Sequence, residues 1–268
     1  MDEKITVAII CIERVIVVVT DLEAACDRWT RAGFGIAQNR FSGGSIEIAR
    51  LYAGAVEIDL CGVGKSDSVK APSMLNAAIE RGGGIIGWTW GFAGEEASMD
   101  IGADSLILPE QSKPTAFENF LPGVWTGIVN TETDSNQRRS DLERLCGANE
   151  NTVDYLEHIV VMTPSLEDAI AAHEEIGLPC KRIREAGGGM RQAFFKLEQT
   201  VLEIVGPARG ASQVWGLAFM CKDIKRAVEV ARANGMEATE PKTAIQGGKI
   251  ARIVQPLDGV AIAYMEPA

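Results

Sequence analysis

The stretch Tyr155–Pro207, YLEHIVVMTPSLEDAIAAHEEIGLPCKRIREAGGGMRQAFFKLEQTVLEIVGP, decides the fold. Leu156–Met162 is short, apolar and rich in β-branched residues, the composition of a buried strand. Ser165 is placed to cap a following helix, with Asp168 three residues on in an acidic variant of the capping box. Gly177 ends that helix, since glycine takes the left-handed C′ conformation without a Cβ clash. Cys180–Glu185 and Met190–Leu197 read as strands on either side of the turn Gly187–Gly188–Gly189, and Val201–Val205 as a last strand. The unit is strand, helix, then three strands. His158 lies in its first strand and Glu203 in its last.

The same unit recurs along the chain, and a repeat of this kind dictates the architecture. ERVIVVVTDLEAACDRWTRAGFG, from Glu13, falls on EHIVVMTPSLEDAIAAHEEIGLP, with Leu22 over Leu166 and Gly33 over Gly177. AVEIDLCG falls on VLEIVGP with a two-residue loop difference, which sets Glu57 over Glu203. A further copy starts at Val214, with Ile224 over Leu166 and Gly235 over Gly177; its other strands are expected near Glu237–Ala244, Lys249–Gln255 and Val260–Met265. Between Gly82 and Asn130 lies a degraded copy whose first strand is Ile85–Phe92 and whose last is Val124–Val129, with a weak helix between. The expected domains are 1–130 (two modules, with a helical insertion at 65–81) and 153–268 (two modules). The polar segment 131–152 is the linker, with a short helix across Asp141–Leu145.

One such unit cannot both bury its helix and complete its sheet. Two side by side make a curved, eight-stranded mixed sheet with helices on the convex face and a hollow on the concave one, an α+β architecture.

The 268 residues suffice for a large core or two ordinary ones, and 46% apolar with 24% charged residues is the composition of a soluble globular protein. A net charge of −11 argues against nucleic acid or an anionic membrane as partner. Six scattered cysteines without a CxxC pair form neither a zinc knuckle nor a disulfide framework. Acidic residues at the start, and Glu13–Arg14 interrupting the apolar run, predict a buried strand there rather than a membrane segment, and a cytoplasmic protein.

Paired modules of this kind, with a histidine in a first strand and a glutamate in a last one, resemble the vicinal oxygen chelate superfamily. That group includes glyoxalase I, methylmalonyl-CoA epimerase, extradiol dioxygenases and the fosfomycin- and bleomycin-resistance proteins. The residues that carry the resemblance are Glu13–Ala25, Leu156–Ala169, Val201–Pro207 and Pro256–Pro267. It covers nearly the whole chain except the insertion and the linker. The superfamily spans many reactions, so the likeness implies a fold and not a chemistry.

In metal-using relatives the ligands come from the first and last strands of paired modules. Those positions here are Arg14 and Glu57, a pair near Thr89 and Gly127, His158 and Glu203, and Gly216 and Ala263. The two-histidine, one-carboxylate triad of an extradiol dioxygenase is absent. His158 and Glu203 are expected on the concave face. There they are half of a divalent-metal site completed by Glu57, an acid–base pair without metal, or a structural hydrogen-bonded pair. Arg14 beside Glu57 and Asp59 reads most simply as a buried ion pair. His173, at helical spacing from Leu166 and Ile170, is expected to pack against the sheet. Gln192, Met162 and Tyr264 are candidate substrate contacts. Trp88 and Trp90 point the same way from one strand and line either a pocket or the core. The triple glycine lacks the helix N-terminus of a phosphate loop and reads as a lip over the hollow.

Three functions follow. The first is an isomerase or lyase for a largely apolar, oxygenated small molecule, with His158 as base and Glu203 as acid beside a carbonyl. The second is a protein that sequesters a hydrophobic compound. The third is a metal-dependent lyase or oxygenase with one divalent ion. A homodimer that exchanges modules is compatible with each.

Overall fold

A computed structural model of the chain describes residues 8–43, 46–63, 73–93, 115–116, 121–130, 134–245 and 247–268. The helix expected within the degraded copy and the start of the insertion lie outside the described residues. The N-terminal half runs β1 (Ala8–Val18), α1 (Leu22–Arg31), β2 (Phe41–Gly43), β3 (Ile46–Ala53), β4 (Val56–Val63), α2 (Ser73–Glu80), β5 (Gly84–Ala93), β6 (Thr115–Ala116) and β7 (Trp125–Asn130). Helix α3 (Ser135–Cys146) follows. The C-terminal half runs β8 (Val153–Met162), α4 (Leu166–Glu175), β9 (Arg182–Gly187), β10 (Met190–Leu197), β11 (Thr200–Gly206), β12 (Gln213–Cys221), α5 (Ile224–Ala233), β13 (Lys242–Thr243), β14 (Lys249–Arg252) and β15 (Ala261–Glu266).

Three helices start in the same way. Asp21, Ser165 and Asp223 each stand in extended backbone and accept a hydrogen bond from the amide three residues on, at 3.0, 3.3 and 3.0 Å. That bond satisfies one of the amides a helix start leaves orphaned. Gly33, Gly177 and Gly235 follow the helix ends with φ of 88°, 82° and 79°. The linker helix is longer than the expected 141–145. Its face carries almost no apolar periodicity, and only Leu142 and Cys146 are buried, so its clearest local signal is the Asp134 cap.

Strands pair first module with second and third with fourth. The sheet orders are β2-β3-β4-β1-β5-β7-β6 and β13-β14-β15-β12-β8-β11-β10-β9. The C-terminal sheet has the expected eight strands, and the N-terminal one shows seven among the described residues. First and last strands of a module run parallel, and the two first strands of a half run antiparallel at its centre.

Each first strand carries a β-bulge at the same place. Against their partners, the extra residues are Glu13 in β1, Ile86 in β5, Glu157 in β8 and Trp215 in β12. A bulge re-aims side chains and bends the strand, which helps curl the sheet. The residues just after them are Arg14, Gly87, His158 and Gly216. They are followed in register by Glu57, Trp125, Val201 and Ala261 on the parallel last strands. This corrects the alignment read from sequence: the counterpart of Glu57 is Val201, and the residue in the place of Glu203 is Asp59. In the degraded module the position is Gly87 rather than Thr89.

One apolar core spans both halves. It joins Val15, Val17 and Trp29 to Ile159, Val161, Phe195 and Phe219. Phe34 meets Phe219 with ring centres 5.0 Å apart. Asp258 accepts from Trp29 Nε1 at 3.1 Å and pairs with Arg28, and Asn151 Nδ2 donates to the Ala32 carbonyl at 2.9 Å.

Candidate functional site

Alternation along β8 puts Ile159 and Val161 in the core and His158, Val160 and Met162 on the concave face. Register then lays that face out in rows. Lys196, Val201, His158 and Ala218 form one, and Phe194, Glu203, Val160 and Gly216 the next. Arg184, Gln192, Val205 and Met162 form the third. His158 Nε2 stands 3.9 Å from Glu203 Oε2, and Glu157, re-aimed by the bulge, meets His158 Nδ1. Gln192 Nε2 donates to Glu203, and Gln192 Oε1 accepts from Arg184 Nε at 2.9 Å. Arg184 lies over the Phe194 ring, 5.5 Å from its centre. A relay of polar side chains therefore crosses four adjacent strands.

The electrostatics follow from burial. Desolvation, helped by the Lys196 and Arg184 cations, holds the His158 imidazole at a pKa of about 4, so it is neutral near pH 7. Desolvation raises the Glu203 carboxyl above its ordinary value, against the opposing pull of Arg184 and the Gln192 hydrogen bond. Glu157 stands at the Nδ1 edge of the ring, which leaves the Nε2 edge facing Glu203.

The corresponding N-terminal hollow is filled. Arg14 pairs with Glu57 at 2.7 Å and Asp59 at 3.3 Å, and Arg50 with Asp59 at 2.8 Å and Glu57 at 3.2 Å. Arg138, from α3, reaches Glu57 at 3.2 Å and also meets Glu13. Beside this network Leu75 and Ala78 of the inserted helix α2 pack on Ile16, Val18, Cys61 and Ile86. The insertion plugs its own sheet.

Sequence-predicted residues separate accordingly. His158, Glu203, Gln192 and Met162 share the C-terminal concave face. Trp88, Trp90 and Tyr264 do not join them: all three are fully buried in the common core, and Tyr264 Oη donates to the Ala32 carbonyl at 2.9 Å. Strand β5 pairs Trp88 with Val15, a core residue, which turns both indoles away from the hollow. Glu57 belongs to the other sheet and is held by arginines. His173 is fully buried on α4, its Nδ1 donating to the Ala169 carbonyl at 2.6 Å and its ring 4.7 Å from Phe195. Three site residues escaped the sequence reading: Glu157, Arg184 and Lys196. The repeated glutamate before Arg14 and before His158 was the available signal for the first. The others needed the strand register.

The divalent metal implied by the superfamily does not fit the residues present. A catalytic metal takes three or more protein ligands, whereas His158 and Glu203 are two. Gly216 and Ala263 supply none, Glu157 stands at the opposite, Nδ1 edge of the imidazole, and no group of three or more His, Cys, Asp and Glu side chains is placed to hold a metal ion among the described residues. At Gly216 a Cβ would stand 2.5 Å from the Ala261 carbonyl oxygen, so no side chain can be accommodated there without moving the strands. No helix among the described residues is long and apolar enough to cross a membrane.

No family model matches the chain, and no curated protein does. Solved structures do. One is a xylose isomerase-like TIM barrel/4-hydroxyphenylpyruvate dioxygenase fusion protein, with TM-score 0.66, 14% identity, and coverage of 97% of this chain and 49% of that one. The chain thus spans about half the length of the fusion protein. Another is a triple mutant of 4-hydroxymandelate synthase from Streptomyces coelicolor, with TM-score 0.66, 14% identity, and coverage of 96% of this chain and 92% of that one. Bulged first strands, parallel last strands, two cupped sheets and this likeness over almost the full length agree: the chain has a glyoxalase-like fold of paired βαβββ modules.

Proposed function

We propose that the protein is an acid–base isomerase or lyase whose reaction takes place on the C-terminal concave face. The observation that carries this reading is the 3.9 Å approach of His158 Nε2 to Glu203, with Glu157 behind the imidazole. The names of the similar structures, a dioxygenase fusion and a synthase, support an enzyme over a sequestering protein. Trp88 and Trp90, which could have lined an apolar pocket for a sequestered compound, lie in the core. The donor set gives no support to metal-dependent chemistry.

In this reading His158 Nε2 takes a proton from a carbon beside a carbonyl. The C–H electron pair moves into an enol, and the carbonyl oxygen takes the proton of Glu203. The Glu157 carboxylate balances the imidazolium that forms. Return of the proton to another carbon gives isomerisation, and departure of a group on the next carbon gives elimination. An imidazole of pKa about 4 is a weak base. It suits a substrate whose proton is already acidic, such as a carbon flanked by two carbonyl groups.

Hydrogen–deuterium exchange tests this without knowledge of the product. A panel of 2-oxo acids and 1,3-dicarbonyl compounds is incubated with the protein in D2O and followed by NMR. Enzyme-dependent exchange, lost in His158→Ala and strongly reduced in Glu203→Gln, is the expected result. Exchange that survives both substitutions would remove the pair from the mechanism.

A further inference from the structure

The two hollows differ in how their cations are met. In the N-terminal half three arginines, Arg14, Arg50 and Arg138, face three carboxylates, Glu13, Glu57 and Asp59. In the C-terminal half Arg184 and Lys196 form no ion pair with a carboxylate among the described residues. Arg184 spends Nε and Nη2 on the Gln192 amide oxygen, which is uncharged, and its Nη1 meets no acceptor among the described residues. Lys196 Nζ donates to the Gln199 carbonyl at 2.9 Å. Both lie on the concave face: Lys196 is in the row of His158, Arg184 is in the row of Gln192, and Phe194 stands between. Each cation is close enough to disfavour a charge on the imidazole. Arg184 is half-buried and spends its hydrogen bonds on an uncharged amide, with Glu203 reached only through Gln192, so a direct counter-charge there would offset its desolvation. Both cations occur in a chain whose net charge is −11.

We propose that Arg184 and Lys196 form the anion-binding end of this site, so that the ligand is a carboxylate whose apolar body lies over Phe194, Val160 and Met162. The inference rests on the reading of this face as the working one and names the class of molecule it takes. The guanidinium and the ammonium hold the carboxylate, and the rest of the molecule runs towards His158 and Glu203. Recognition of the substrate thereby falls to two protein cations rather than to a metal ion.

The protein has two histidines, and labelled imidazoles make His158 an internal reporter in NMR. Hexanoate and cyclohexylacetate serve as anionic probes, with hexanamide and cyclohexylacetamide as uncharged isosteres. Saturable shifts of the His158 signal by the carboxylates are expected, with the amides weaker by about ten-fold, the order of one charge-assisted hydrogen bond. Lys196→Gln and Arg184→Gln are each expected to weaken carboxylate binding several-fold and amide binding by clearly less, while Arg184→Lys recovers part of the loss. Lys196 is exposed, so its substitution keeps the proposal testable even if an Arg184 variant does not fold. Amides that bind as tightly as the acids, carboxylate affinity indifferent to Lys196→Gln, or no His158 response to any probe would each overturn it. Carboxylate binding without hydrogen exchange on any compound would sink the acid–base reading and leave this one standing. Exchange on neutral diketones without a preference for acids would do the reverse.

Discussion

Arg138 Nη2, on the helix that joins the two halves, lies 3.2 Å from a carboxylate oxygen of Glu57 in the first sheet. A linker residue therefore completes the charge balance of a buried network, and its removal leaves Glu13 and Glu57 facing two arginines instead of three. Removing one partner of a buried ion cluster costs about 3 kcal/mol. Arg138→Met should lower stability by that order in urea unfolding, and adding Glu57→Gln should return part of it. A loss that is the same with and without Glu57→Gln would show that Arg138 acts through packing alone.

Acid should destabilise the protein through its histidines. The unfolded chain protonates an imidazole near pH 6.5, whereas burial keeps both His158 and His173 neutral in the folded chain down to about pH 4. Between those values the unfolded state binds more protons, so stability is full above pH 6.5 and declines as pH falls towards 4. Each histidine accounts for roughly 3 kcal/mol at an upper bound, from about 1.4 kcal/mol per pKa unit. Denaturation midpoints measured from pH 7 to 4 should show the decline, and His158→Gln should flatten it. Glu203 acts in the opposite sense. Its raised pKa means that the folded state takes up a proton first as pH falls, which recovers a little stability.

Gly87 and Gly216 follow bulges where the partner strand comes very close. A Cβ on Gly87 would stand 1.6 Å from the Trp125 carbonyl oxygen. Gly87→Ala must push β5 from β7 and should cost about 3 kcal/mol, the upper end for overpacking. Gly82→Ala is the control for space, since nothing lies within 4 Å of its Cβ site, and its strain is that of its φ of 90° alone. Thermal melts of the two variants decide: equal losses would refute the close approach.

Asp258 bridges the halves through Arg28 and the Trp29 indole. Asp258→Ala strands a buried N–H and should cost about 2 kcal/mol. Asp258→Asn keeps an oxygen for the indole and tolerates the positive φ of 49°, so it should lose less. Chemical denaturation of the pair separates the charge from the hydrogen bond.

Much of this architecture was legible before any coordinates. The cap at Ser165, and the spacing from Leu22, Leu166 and Ile224 to Gly33, Gly177 and Gly235, marked the modules. Period-two alternation put His158 with Met162. The same alternation showed that Trp88 and Trp90 share a face without saying which, because only the pairing of β5 with β1 chooses it. Tyr264 was readable on the same principle, since Ala263 faces the hollow and its neighbour must face the core. The bulges were not legible. They arise from the pairing of two strands, and they re-aim Glu13 and Glu157. Matching glutamate to glutamate placed Glu57 over Glu203, whereas the hydrogen-bonded register puts Asp59 there. Arg184 reaches the site through Gln192 on the neighbouring strand, a link that spacing along one segment does not reveal.

The kink inherited by all four central strands gives the scaffold four addresses at which a side chain can be swung into a cup. Two are sealed by glycine, and a third is locked by arginine into a salt lattice. The fourth, at His158, is the one the proposed function uses. If the proposed site is the working one, a change in what it accepts falls to β9, β10 and β11, which carry Arg184, Gln192, Lys196 and Glu203 across the same face, while the other half serves as a fixed foundation.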